Sequence, residues 1–121
     1  MAITNAAATG TQGLRAPLKV QSMGRLDFDL DNSYPANAGG YASFANTAGG
    51  TIQGISAFTG VTVIEIPDKI VENAAGGTWA LLHWDRANDR LMVINPATGV
   101  EFANGADLSG FTNVELSFYY I

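Results

Sequence analysis

The sequence predicts an all-β fold: an antiparallel, jelly-roll-like β-sandwich of about seven to eight strands with an extended N-terminal arm. Three observations predict it. Apolar residues alternate with polar ones in short runs, turn formers punctuate those runs at regular spacing, and no segment of useful length carries a helical period. At 121 residues the chain suits one domain with a single core, divided here into an arm over residues 1–16 and a sandwich over residues 17–121.

Residues 1–16 are small, polar and rich in Gly, Thr and Asn, so burial offsets little of their ordering entropy. They suit either a frayed terminus or an arm that orders on a neighbouring subunit. From Pro17 the period becomes two. Leu18 and Val20, then Leu26, Phe28 and Leu30, alternate with polar positions, and Asp27, Asp29 and Asp31 form an acidic outer row. Gly24 interrupts this run and predicts a bulge or bend.

Residues 32–40 form a loop by composition. A Gly/Ala/Ser/Thr region runs on to Gly60, with a short helix expected over residues 42–48 and Phe44, Ile52, Ile55 and Phe58 as core contributors. Residues 61–66 make the strongest strand by propensity, closed by Pro67, which has no N–H to give to a ladder. Residues 68–77 are expected as a loop.

Next comes a hairpin. Residues 78–84 and 90–94 are apolar runs flanking a connection of Asp and Asn residues, which tolerate left-handed backbone. Both Trp residues lie on its first arm. Alternation puts Trp79, Leu81 and His83 on one face and Ala80, Leu82 and Trp84 on the other. A strand apolar on both faces is covered twice, by two layers of its own core or by its core and another subunit. Residues 95–99 then fit a type I turn with Pro96 second and Gly99 where positive φ is wanted. Residues 100–103 are a short strand, 104–110 a loop, and 111–121 a last strand with Val114, Leu116, Phe118 and Tyr120 on one face. An apolar ending of Phe-Tyr-Tyr-Ile needs tying down by its own sheet or by a partner.

Composition narrows the functions. Charged residues are 14%, hydrophobic ones 47%, and the net charge is −5 with no basic cluster, which argues against nucleic acid as a partner. No signal peptide or membrane-spanning run is visible. Cys is absent, which excludes thiolate metal sites and Cys nucleophiles. The one His, His83, has no nucleophile or orienting carboxylate in a local motif, so a packed or rim role outweighs a catalytic one. Asp27, Asp29, Asp31 and Asn32 resemble the start of a calcium loop, but Asn32 and Ala38 stand where Gly and an acidic residue are required, and a solvated acidic face explains the spacing. No metal, cofactor or catalytic residue is expected. The aromatic residues suit core plus subunit interface better than a sugar-stacking platform.

Three segments occur in a familiar order: Asp31-Asn32-Ser33-Tyr34-Pro35-Ala36-Asn37-Ala38-Gly39-Gly40, then Trp84-Asp85-Arg86-Ala87-Asn88-Asp89-Arg90-Leu91, then Glu101-Phe102-Ala103-Asn104-Gly105-Ala106-Asp107-Leu108-Ser109-Gly110. Together, over roughly residues 20–121, they resemble small virion structural proteins of tailed bacteriophages, the head decoration or cement family. That family carries an SYPTGG-like loop, a W-D-x-x-N-x-K-L hairpin and an EVANGTDLS-like segment. This chain departs in having Ala36-Asn37-Ala38 before Gly-Gly and Phe102 for Val, changes of loop length and core size. The resemblance implies a β-sandwich, often trimeric, on the capsid surface, clamping neighbouring subunits of the major capsid protein and carrying no catalytic residues.

The expectation is therefore a homotrimeric capsid cement protein of the virion, assembled in the host cytoplasm, with no nucleic acid or membrane partner. Leu14, Leu18, Trp79, His83, Tyr119, Tyr120 and Ile121 are its candidate interface residues. The alternative is a virion-associated glycan-binding module of a fibre or tail, using Tyr34, Tyr41 and Trp84 as stacking surfaces. A small hydrolase with paired carboxylates ranks last.

Overall fold

The computed structural model describes residues 4–11, 22–42, 44 and 62–121, with side chains from residue 22 onward. Among these residues nine strands form two antiparallel sheets: β1 (Thr4–Thr11), β2 (Ser22–Asp29), β3 (Tyr41–Ala42), β4 (Val63–Glu65), β5 (Lys69–Glu72), β6 (Trp79–Asp85), β7 (Arg90–Asn95), β8 (Val100–Glu101) and β9 (Val114–Tyr120). The first sheet has the order β1-β2-β9-β4. The second has β3-β7-β6-β5, and β8 also pairs with β7. The fold is an antiparallel β-sandwich.

Period-two patterning explains what the sheets enclose. β9 buries Val114, Leu116, Phe118 and Tyr120, and β2 buries Leu26 and Phe28 opposite them. From the second sheet come Ala80, Leu82 and Trp84 of β6 and Leu91 and Val93 of β7. These rows meet as one core, since alternate residues of each strand must leave water together. The apolar C-terminus is tied to its own sheet: Ile121 and Thr62 exchange backbone hydrogen bonds of 3.0 and 3.1 Å.

Four local expectations change. Gly24 marks no bend, because its pairing with Phe118 is regular. It is buried, and a Cβ there would lie 2.3 Å from Phe118 Cζ, so glycine makes room for the ring. The irregularity falls in β1, between Thr4 and Ala7, and this segment of the expected arm pairs along β2. Within the expected 68–77 loop, Lys69–Glu72 is β5, fixed by its ladder with β6. The acidic row along β2 and just beyond it is partly engaged: Asp29 accepts from the Asn113 N–H at 2.8 Å, and Asp31, past the end of β2, accepts from the Ser33 N–H and the Tyr41 hydroxyl. Asp27 lies 3.6 Å from Arg25, which also approaches Glu115 at 3.7 Å.

The helix expected over residues 42–48 lies outside the described residues except at Ala42, which closes β3, and Phe44, which is in the core. Leu18, Val20, Ile52, Ile55 and Phe58 also lie outside them. The Asn95–Gly99 turn forms as expected, with Gly99 at φ 73° and its N–H donating to Asn95 O at 2.8 Å.

Loop residues 30–40 contribute to the core. Tyr34 and Tyr41 are buried, with their rings edge to face at 5.6 Å. β7 carries two short neighbours along one edge, β3 at Arg90 and Leu91 and β8 at Ile94 and Asn95. In the gap between them the Tyr34 hydroxyl accepts from the Val93 N–H at 3.0 Å and donates to the Glu101 carboxylate. A side chain thus completes a ladder that two strands leave open, which satisfies a buried backbone donor. Burial and the hydrogen bond to Glu101 push the Tyr34 phenol pKa well up; burial and the charge of Asp31 do the same for Tyr41.

Candidate interaction surface

β6, an inner strand with β7, sorts the two faces of the second sheet. Its even positions enter the core, while Trp79, Leu81, His83 and Asp85 point outward. Register decides their neighbours. Ile70 of β5, Leu81 and Ile94 of β7 stand in one row across three strands; Glu72 stands beside Trp79, and Met92 beside His83. The outer face is therefore a contiguous apolar band, in which Ile70 is 53% and Trp79 47% exposed. Adjacent exposed apolar side chains of this size mark a surface that gains by being covered, at roughly 25 cal/mol per Å² of apolar area.

At one end of the band the connections before β6 and after β7 come together. Ile70, Gly77, Thr78, Trp79, Asn95, Pro96 and Ala97 line an open hollow of about 590 Å³. At the other end His83 Nδ1 lies 2.8 Å from Asp68 Oδ1, both side chains half exposed. Asp68 is the orienting carboxylate that no local motif announced. The cross-strand neighbour of His83 on β7 is Met92, which is no nucleophile. Beyond it, the Asn88 amide donates to Asp85 at 2.8 Å and holds that carboxyl below its usual pKa. Among the described residues no group of three or more His, Asp or Glu side chains could hold a metal ion.

The expected interface residues divide. Trp79 and His83 share the outer face of the second sheet. Tyr119 and Ile121 belong to the opposite side of the sandwich, where Tyr119 is half-buried beside the exposed Met23. Tyr120 is a core residue at 7% exposure, because its position in β9 turns it inward with Phe118. Leu14 and Leu18 lie outside the described residues. The stacking platform of Tyr34, Tyr41 and Trp84 does not exist: all three rings are buried. Ile70, Glu72, Met92 and Ile94 were missed. The run Lys69-Ile70-Val71-Glu72, bounded by Asp68 and Asn73, carried a strand signal that could have found the first two.

Comparison with family models, curated proteins and solved structures returns no match to this chain.

Proposed function

We propose that this protein is a bacteriophage capsid decoration protein, which binds the outside of the mature head and stabilises it by bridging neighbouring subunits of the major capsid protein. The observation that carries the reading is the outward row Ile70–Leu81–Ile94 with Trp79 beside it, in which Ile70 and Trp79 are exposed, on a sheet face whose other side already closes the core. The three-segment resemblance to the head decoration family supplies the kind of partner. A face of this sort contributes modestly per copy, but many copies on a lattice sum their contributions against internal pressure. Homotrimers at three-fold positions, with the N-terminal segment as a further contact, complete the proposal. Nothing in this mechanism calls for a catalytic group, cofactor or nucleic acid. Its place of action is the virion surface, reached by assembly in the host cytoplasm.

Co-sedimentation with mature and immature shells tests it. Saturable binding to mature shells alone, which then survive more heat, is the expected result; binding to neither overturns the proposal. The glycan-binding alternative gains no support from the structure, since its three rings have no surface to offer a sugar.

A further inference from the structure

The hollow at the end of the apolar band has a chemical character of its own. Its lining is mostly apolar, and the half-exposed Trp79 is the largest side chain in it. Glu72 stands directly opposite Trp79 in the β5–β6 ladder. Its carboxylate accepts a 3.2 Å hydrogen bond from the N–H of Gly77, which lines the hollow, so Glu72 is fixed beside the hollow without lining it. Among the described residues Glu72 belongs to no ion pair. The chain as a whole carries −5.

An occupant seated on the indole face and the aliphatic wall also comes beside the Glu72 carboxylate, the cross-strand neighbour of Trp79. A purely apolar side chain would desolvate Glu72 without pairing it, at a cost. An anion would be repelled. A guanidinium stacks on indole, forks onto a carboxylate through parallel N–H donors, and lays its methylene stem along apolar surface. A lysine ammonium supplies the charge but not the planar stack.

We propose that this hollow receives an arginine side chain presented by a protein partner. That the partner is a shell subunit rests on the decoration reading; the chemistry of the hollow does not.

The test uses the full chain with 15N-labelled indoles, titrated with N-acetylarginine amide and, separately, with N-acetylnorleucine amide. The Trp79 indole resonance is expected to move saturably with the arginine probe and not with norleucine, while the buried Trp84 indole stays put. Glu72→Gln keeps an acceptor for the Gly77 N–H and so keeps the loop, yet weakens arginine binding about fivefold, as loss of one charge-assisted contact implies. Trp79→Leu, followed at the Gly77 amide, abolishes it. Equal shifts from norleucine, no saturable shift, or an unchanged affinity in Glu72→Gln would each overturn the proposal. On shells the two readings separate. Undiminished shell binding by Glu72→Gln overturns the shell as the source of the arginine and leaves decoration standing; arginine binding without shell binding overturns decoration and leaves arginine reception standing.

Discussion

The indole N–H of Trp84 donates a 2.9 Å hydrogen bond to the Asp89 carboxylate, across the turn that joins β6 to β7. Both residues are buried, and Asp89 sits in the left-handed region at φ 50°. Its backbone carbonyl also accepts from the Phe44 N–H at 3.0 Å, so one residue shapes the turn, satisfies the indole and holds the chain beyond β3. Replacing it tests all three roles. Asp89→Ala strands the indole donor and puts a Cβ-bearing residue without local polar compensation at positive φ, for a loss of about 2–4 kcal/mol. Asp89→Asn retains an acceptor oxygen and tolerance of that backbone, and costs less. Urea midpoints of the two variants against the parent measure the difference.

Gly24 and Phe118 make a second coupled pair. The ring occupies the space a Cβ at residue 24 would need, so Gly24→Ala overpacks the first sheet and destabilises by about 1–3 kcal/mol. Shrinking the ring relieves the clash. The double variant with Phe118→Leu is expected to lose less than the sum of the single losses, and a strictly additive cycle would show that the two do not interact.

Alkaline pH probes the buried tyrosines. Tyr34 and Tyr41 have folded pKa values raised above the ordinary 10.0. The native state therefore holds these protons more tightly than the unfolded chain. The stability they lend is complete below about pH 10 and falls as pH rises through the raised values, by up to tenfold in the folding constant per pH unit for each phenol. Denaturant midpoints from pH 8 upward should decline from about pH 10, and Tyr34→Phe should flatten that decline. The same variant leaves the Val93 N–H without its acceptor, so hydrogen exchange at Val93 should accelerate.

Surface and core substitutions separate shell association from stability. Ile70→Ser and Trp79→Ser on the exposed band should change stability by no more than about 0.5 kcal/mol while abolishing shell association. Tyr120→Ala, inside the core, should cost about 3 kcal/mol or more. Thermal unfolding and co-sedimentation, run side by side, give the two readouts. Loss of shell binding by Tyr120→Ala alone would place the interface elsewhere.

The hairpin, the split of β6 into two faces, the Asn95–Gly99 turn and the inward row of β9 were all legible in the sequence. Each is encoded over a few adjacent residues, by alternation or by turn chemistry, and needs no distant partner. β5 was less legible because four residues between Pro67 and the Gly76-Gly77 turn look like a loop until β6 lies beside them. The acidic alternation was visible, but Asp31 leaves it to meet a tyrosine ten residues on.

Alternation along Trp79–Asp85 established that Trp79 and Trp84 face opposite ways; it carried no information about which of them meets the core. Packing assigned that, burying Trp84 in one core with Leu91, Val93 and the β9 row and leaving Trp79 half exposed. Tyr34 and Tyr41 reverse their apparent character in the same way. In a Gly-, Asn- and Pro-rich loop they look like surface rings, yet their hydroxyls find Val93, Glu101 and Asp31 only once both sheets are in place. Period and turn propensity are local properties of the chain. Which face is covered, and which polar atom is satisfied, depends on residues far apart in sequence that the closed sandwich brings together.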